Sequence, residues 1–211
     1  MRVFPLYRHI GVISLLSLLV FPTGNAAFAD SLEKLKKDAA QIQSIQASFI
    51  QSKHMKILAK PLLSEGVFYY QAPDSFRWEY LKPLKSIVLN HKGRTKRYIY
   101  SGGKMVEDKS GGVQTMKIVL DEITAWMKGR FDSNPSFQAT FQEGTDIQIT
   151  LTPVDKSMSG MIEKIVISLA KKEAAVKTVK IIESASDYTQ IDFKNVITNR
   201  DIPETVFVEV Q

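Results

Sequence analysis

The segment from Pro73 to Pro83 constrains the fold of this chain most strongly. Three large aromatic residues occupy alternate positions in it: Phe76, Trp78 and Tyr80. Arg77 and Glu79 lie between them. Because a β-strand sends successive side chains to opposite faces, the segment predicts a strand with one aromatic and one charged face. The aromatic face is interpreted either as an ordinary core surface or as one wall of an apolar pocket.

Residues 1–29 have the layout of a secretory signal peptide. Arg2 and Arg8 precede an uncharged, largely apolar run from Ile10 to Phe21, and Ala27-Phe28-Ala29 follows with the small-x-small pattern of a cleavage site. The apolar run is short for a membrane span, although an uncleaved anchor is the alternative. The sequence therefore predicts export to the periplasm and a soluble mature domain over residues 30–211.

The composition excludes several classes of chemistry. The chain has no cysteine, so disulfides, thiol catalysis and cysteine metal sites are excluded, as is lipid attachment to an N-terminal cysteine. Beyond the signal peptide only His54 and His91 remain, which leaves little for a histidine metal centre or a serine–histidine pair. The net charge is +6 for the whole chain, and removal of Arg2 and Arg8 with the signal peptide leaves a modest +4. Export argues against a nucleic-acid partner. We predict neither enzymatic activity nor a metal or other cofactor.

Alternation of apolar and polar residues dominates the rest of the chain, and short glycine-bearing turns join the segments as in antiparallel hairpins. We predict an amphipathic helix over 31–45, with Asp30 and Glu33 at its start. About eleven strands are predicted, over 47–58, 64–71, the aromatic segment, 85–91, 95–100, 137–142, 147–152, 165–169, 176–183, 188–193 and 206–210. An antiparallel sheet of this size must curl around its apolar face.

A second helix is predicted over residues 115–129. Apolar residues recur there at three- and four-residue steps, and Gly129 provides a helix end: Met116, Val119, Leu120, Ile123, Trp126 and Met127. The face is interpreted either as a helix packed on a core or as a lid whose methionines adapt to variable ligands.

The order of motifs over residues 31–100 resembles that of a known family. The motifs that carry the resemblance are Ile45–Gln51, Gly66–Tyr70, Pro73-x-x-Phe76-Arg77-Trp78, Pro83 and Ser86–Gly93. This arrangement is similar to that of the periplasmic outer-membrane lipoprotein carriers, the LolA-like proteins. Beyond residue 100 the resemblance rests on the order of elements.

The resemblance implies a mainly β fold, an unclosed antiparallel β-barrel with an α-helical lid over an apolar cavity. It implies that the cavity takes the acyl chains of a lipoprotein. Such a carrier is a monomer that receives its cargo from an inner-membrane ATP-driven transporter and delivers it to an outer-membrane acceptor. Two alternatives stay open, namely a LolA-like carrier of another lipid or acylated molecule and a periplasmic lipoprotein-sensing domain.

The sequence departs from the family pattern at one position. The resemblance implies an arginine just before the proline of the aromatic motif, where it holds the lid shut, and this chain has Ala72 there. The departure favours either a different latch or a different cargo.

The candidate site consists of large apolar residues. Alternation along the strands and spacing along the helices place them on the faces that we expect to meet around the cavity. The candidate acyl-binding residues are Phe49, Tyr69, Phe76, Trp78, Leu89, Met116, Leu120, Ile123 and Trp126.

The first prediction concerns processing. We expect cleavage after Ala29, so that N-terminal sequencing of the exported protein begins at Asp30, because this position follows the small-x-small pattern. Recovery of the chain from the membrane fraction with Met1 still present would contradict it.

Overall fold

The computed structural model describes residues 24–109, 112–155, 162–170 and 175–210, and side chains within these ranges except at 24–29, 31 and 112–119. The helices are α1 (Gly24–Ala40) and α2 (Gly112–Met127). The strands are β1 (Ser44–His54), β2 (Leu62–Gln71), β3 (Ser75–Lys82), β4 (Ser86–His91), β5 (Arg94–Ser101), β6 (Lys104–Glu107), β7 (Phe137–Glu143), β8 (Ile147–Pro153), β9 (Lys164–Ala170), β10 (Ala175–Ile182) and β11 (Tyr188–Thr198). Residues 1–23 of the predicted signal peptide lie outside the described residues.

All the strands belong to one antiparallel sheet, which is not closed. Its order is β6-β5-β4-β3-β2-β1-β11-β10-β9-β8-β7, with β6 and β7 at the two edges. The pairing of β1 with β11 joins the first half of the sheet to the second. The predicted fold class, an unclosed antiparallel half-barrel with helices, is confirmed.

The helices cover one face of this sheet, which we call the inner face; the other is the outer face. A single buried cluster contains side chains of both helices together with inner-face residues of both halves of the sheet. No helix in the described parts of the chain has the length and apolarity needed to cross a bilayer.

The predicted alternation in the aromatic strand is confirmed. Phe76 and Trp78 are buried on the inner face, where Tyr80 is half-buried. On the outer face the Arg77 Nε donates to Glu79 Oε2 at 2.7 Å, so these two charged residues of the strand pair with each other.

The first helix differs from its prediction at both ends. It begins at Gly24, so Asp30 and Glu33 lie inside the helix rather than at its start, and it ends at Ala40 instead of residue 45. Ile45 pairs with Tyr70 and Thr198 in the sheet. Residues 42 and 45 fit helical spacing and are buried, but Ile45 belongs to a strand because its backbone finds partners on both neighbouring strands.

The end of the chain also differs. The predicted strand over 206–210 is instead a turn of 3₁₀-helix at Glu204–Phe207, and the eleventh strand is β6, which the sequence did not reveal. The Arg77 Nη1 donates to the carbonyl oxygens of Val206 and Glu209, at 3.0 and 2.8 Å. A side chain therefore satisfies carbonyl groups that a neighbouring strand would otherwise have to satisfy.

Gly66 in β2 makes the central aromatic packing possible. It pairs with Phe49 of β1 on one side and Tyr80 of β3 on the other, next to a register shift in which Leu81 is the extra residue. A Cβ at this position would overlap the Phe49 ring and the carbonyl oxygen of Glu79. The ring of Phe49 therefore lies over the glycine and covers it.

We expect Gly66→Ala to lower the free energy of unfolding by about 1–3 kcal/mol, the usual cost of overpacking, because neither the ring nor the backbone has room to move. Urea unfolding checks this. Gly144→Ala is the matched control, since the nearest atom to its Cβ, the Asp146 carbonyl oxygen, is 3.5 Å away. Equal stability of the two variants would contradict the proposed packing.

Candidate functional site

The inner face of β1, β2 and β3 holds a cluster of stacked aromatic rings. Trp78 stacks on Phe49 with ring centroids 4.2 Å apart and planes at 27°. Trp78 also contacts the rings of Phe68 at 5.5 Å and Phe193 at 6.1 Å. Tyr80 meets the edge of the Phe49 ring at 5.4 Å. These rings form a continuous apolar surface that spans strands from both halves of the sheet.

The polar tip of Tyr80 marks one margin of this surface. Its hydroxyl donates to Gln51 Oε1 at 2.9 Å. Burial raises the pKa of the Tyr80 hydroxyl, while the hydrogen bond to Gln51 acts in the opposite direction. The phenol therefore stays a neutral hydrogen-bond donor at physiological pH.

The two helices close over the aromatic surface with their apolar sides. Leu120, Ile123 and Trp126 of α2 are buried in the same cluster as Trp78, and Leu35 of α1 joins them. Each of these four helix side chains is at most 4% exposed, so the inner face is filled by the protein's own side chains. A ligand on this surface would have to displace the helices.

The structure brings together six of the nine predicted site residues. Phe49, Phe76 and Trp78 lie on the inner face of the sheet, and α2 contributes Leu120, Ile123 and Trp126. The side chain of Met116 lies outside the described residues.

Tyr69 and Leu89 lie on the outer face, so the expectation that they face the cavity is corrected. Both pair directly with Arg77, and paired residues of antiparallel strands share a face. Leu89 is nonetheless 5% exposed, because β4 is buried on both faces and the C-terminal segment crosses near it. Size and apolarity alone could not assign the face.

The outer face carries a polar depression of about 250 Å³ at Tyr69. The other lining residues are Arg77, Glu79, Thr205, Val206 and Glu209. Sequence reasoning missed this feature because it interpreted residues 206–210 as a strand. The Arg77 guanidinium already binds Glu79 and two carbonyl oxygens, which indicates that it anchors the C-terminal segment.

The sheet splits between β10 and β11. The two strands pair only from Thr178 with Asp192 to Ile182 with Tyr188, and the earlier part of β10 separates from the later part of β11. A groove of about 550 Å³ lies in the split, lined by Ala175, Val176, Lys177, Phe193, Lys194, Asn195, Val196 and Thr198. Sequence alternation gave no signal for it, because the split depends on where pairing stops.

A narrow apolar crevice continues from this groove toward the helices. Its lining includes Ile42 just before β1, Ile45 of β1 and Met127 at the end of α2, together with Val176 and Val196. Its volume of about 10 Å³ is no larger than one water molecule requires. The interior is therefore closed at this point, with apolar walls on both sides of the seam.

Polar contacts near the ends of the helices attach them to neighbouring segments. The Lys36 Nζ of α1 donates to Asp132 Oδ2 at 2.8 Å, beyond the end of α2. Lys128, directly after α2, lies over the ring of Tyr70 with its Nζ 5.3 Å from the centroid. Tyr70 is two residues before Ala72, the position at which the family resemblance implies a latch arginine. In this chain a positive charge near that position is that of Lys128, which follows α2, and it contacts β2 through the ring of Tyr70.

A glycine lets the two helices meet. Gly129 has φ +73°, a conformation that favours glycine, and a Cβ there would lie 2.9 Å from the Ala39 Cβ and from the Lys36 carbonyl oxygen. The predicted role of Gly129 at the end of the second helix is confirmed, and it also allows close contact with α1.

The chain is similar to proteins of one known family. The family model described as "Outer membrane lipoprotein carrier protein LolA" matches residues 40–209. The chain belongs to this family. A LolA-family relative, the outer-membrane lipoprotein carrier protein of Methylibium petroleiphilum, is 32% identical over 65 residues, 31% of this chain and 32% of that protein. The chain thus matches about a third of that relative's length.

The fold of this LolA family member also resembles solved structures. An uncharacterized conserved protein from Thermus thermophilus has a TM-score of 0.54 at 10% identity, over 88% of this chain and 94% of that one. The Pseudomonas aeruginosa MucA/MucB complex has a TM-score of 0.49 at 15% identity, over 86% and 60%. At 10% identity the likeness to the Thermus thermophilus protein concerns the fold alone.

The ion pair between Lys36 and Asp132 predicts a pH-dependent attachment of α1. The hydrogen bond from Lys36, together with its charge, lowers the pKa of the Asp132 carboxyl below its ordinary 3.8. A lowered folded-state pKa contributes stability above the ordinary pKa, and that stability is lost as the pH falls through the lowered value. The Asp132 side chain is 50% exposed, so solvent screens the pair.

We expect Asp132→Asn to lower the free energy of unfolding by on the order of 0.2–1 kcal/mol near neutral pH. At a pH below the lowered pKa of Asp132 the substitution should have no such effect, because the carboxyl is already neutral there. Amide hydrogen exchange of α1 should become faster. Asp146→Asn is the control, because it removes a similar pair, with Lys177 at 2.6 Å, from the sheet. Equal exchange of α1 in both variants would contradict a role for the pair in holding the helix.

Proposed function

We propose that this protein is a soluble periplasmic carrier that shields the acyl chains of lipoproteins and moves them from the inner to the outer membrane. Membership of the LolA family over residues 40–209 carries the proposal. The aromatic inner face under two apolar helix faces supplies the matching chemistry. The cargo would come from an inner-membrane ATP-driven transporter and pass to an outer-membrane acceptor, with this chain acting as a monomer.

The physical requirement for such a carrier is large. Each methylene transferred from water to an apolar environment gains about 0.8 kcal/mol. A triacylated anchor with roughly forty methylenes would therefore cost on the order of 30 kcal/mol to expose fully. Only a protein with a large apolar surface that opens and closes can move such a group through an aqueous compartment.

In the proposed cycle the helices exchange one apolar partner for another. In the closed state Ile123 and Trp126 bury the aromatic face, and in the loaded state acyl chains would take their place against Phe49 and Trp78. Because apolar contact is nondirectional, acyl chains can take the place of helix side chains without reproducing their geometry. The carrier itself then needs neither a catalytic group nor a nucleotide.

The second candidate is a carrier of another lipid or acylated molecule, and Ala72 favours it, because the latch that the family resemblance implies is absent at this position. Purification of the exported protein from its periplasm, followed by mass spectrometry of bound lipids, separates the candidates. Lipoproteins bearing acylated N-terminal cysteines support the first, and other lipids alone support the second. Absence of any bound acyl group, together with no uptake of an acyl probe, would contradict both.

The two tryptophans of the chain provide an internal probe. Trp78 and Trp126 are each 2% exposed and lie in the same buried cluster, one on the sheet and one on α2. We expect their emission to change when a polyene fatty acid or a synthetic triacylated lipopeptide binds. A parallel titration with a short soluble acyl chain tests whether the change in emission depends on the apolar area of the ligand.

A matched pair of variants localises the binding surface. Ile123 and Ile87 are each 1% exposed, but Ile123 is on α2 and Ile87 pairs with Glu79 on the outer face. Each substitution by alanine should destabilise the protein by about 2–5 kcal/mol. We expect Ile123→Ala to accelerate probe association and release in stopped-flow measurements, because the helix loses contact with the sheet, and Ile87→Ala to leave both rates near wild type. Identical kinetics in the two variants would place the acyl site elsewhere.

A further inference from the structure

Large exposed apolar side chains gather on two loops at one end of the sheet. We call this surface the loop tip, residues 55–63 and 81–85. Ile57 and Leu84 are 82% and 80% exposed, and Leu62 and Leu63 are 56% and 58% exposed. Side chains of this kind scattered singly are normal on a protein surface, but a contiguous group marks an interaction site.

The strand register places these two loops side by side. Lys53 pairs with Leu62 across the β1–β2 hairpin, and Glu65 pairs with Lys82 between β2 and β3. The end of β1, the start of β2 and the end of β3 therefore lie together. The same end includes the half-exposed Tyr100, whose backbone N–H donates to the Lys85 carbonyl oxygen at 3.0 Å.

Lysines are interleaved with the apolar residues of the loop tip. Lys56, Lys60, Lys82 and Lys85 lie on the two loops. Lys82 contacts the neighbouring Glu65 at 3.0 Å, and both side chains are more than half exposed. Lys85 lies over the ring of Tyr100 with its Nζ 5.8 Å from the centroid. The loop tip thus combines exposed leucines with a local excess of positive charge.

We propose that the loop tip docks on the surface of a bilayer that contains anionic phospholipids. Leucine and isoleucine side chains on a protruding surface insert into the boundary between head groups and acyl chains, while lysines bind the phosphates around them. The apolar residues stand on loop ends rather than in a groove. A deformable lipid interface fits such a surface without a preformed complementary pocket.

The position of the loop tip gives docking a consequence for transfer. Along β1 the inner face changes from fully buried Phe49 to half-buried Gln51 and Lys53 as the strand approaches this end. Docking would hold this less buried end of the inner face toward the bilayer, where acyl chains leave and enter. This consequence rests on the proposed function, whereas docking itself is independent of it.

The test uses the full exported chain and vesicles free of lipoprotein. We expect the protein to float with vesicles of phosphatidylethanolamine and phosphatidylglycerol, and to float less with phosphatidylcholine alone. The Ile57→Ser/Leu84→Ser double variant should lower the vesicle partition coefficient by on the order of tenfold or more. The Lys60→Gln/Lys85→Gln double variant should lower it by about fivefold for each lysine.

Matched controls keep the test specific. Val208→Ser changes a 51% exposed valine on the C-terminal segment, and Lys34→Gln/Lys37→Gln removes the same charge from α1. Both controls should bind vesicles like the wild type, and every variant should still take up the acyl probe, which separates failure of docking from failure of the carrier function. Retained vesicle binding in the apolar double variant would overturn the proposal. Absence of vesicle binding by the wild type would also overturn the proposal, even if a purified partner protein binds the loop tip.

Discussion

The contact between Phe49 and Trp78 across Gly66 is the interaction on which the rest of the inner face depends. Phe49 belongs to β1 and Trp78 to β3, so their rings meet only because the strand between them carries no side chain at this position. Trp78 then reaches Phe193 of β11 on the far side of β1. One missing side chain lets aromatic packing run across four strands and join the two halves of the sheet.

A surface of this kind suits a lipid carrier because it is both apolar and already covered. The helices protect the aromatic rings from water, and the described polar contacts that attach them include those of Lys36 and Lys128. The buried side chains of the helices contact the sheet through apolar groups, and under the proposed function acyl chains would replace these contacts without loss of hydrogen bonds. Under the proposed function, the free protein and the loaded protein are two ways of covering the same apolar surface.

The two faces and the two ends of the sheet have different tasks. The inner face and helices form the apolar interior, and Arg77 fastens the C-terminal segment to the outer face through the carbonyl oxygens of Val206 and Glu209. At the end formed by the loops after β1 and β3, leucines and lysines face solvent. Under the proposed function and the proposed docking, the apolar interior, the fastened outer face and the membrane-facing end would occupy separate parts of one sheet.

The sequence alone determined the local structure, because alternation and helical spacing are properties of neighbouring residues. It predicted most of the strands, both helices, the two faces of the aromatic strand, and six of the residues that meet in the interior. Tertiary structure decided what depends on partners distant in the chain. Ile45 became a strand residue through pairing with Tyr70 and Thr198, and Tyr69 and Leu89 were assigned to the outer face by register with Arg77. The C-terminal segment became a 3₁₀ turn because the Arg77 side chain satisfies two of its carbonyl groups, and the split between β10 and β11 exists only where pairing stops.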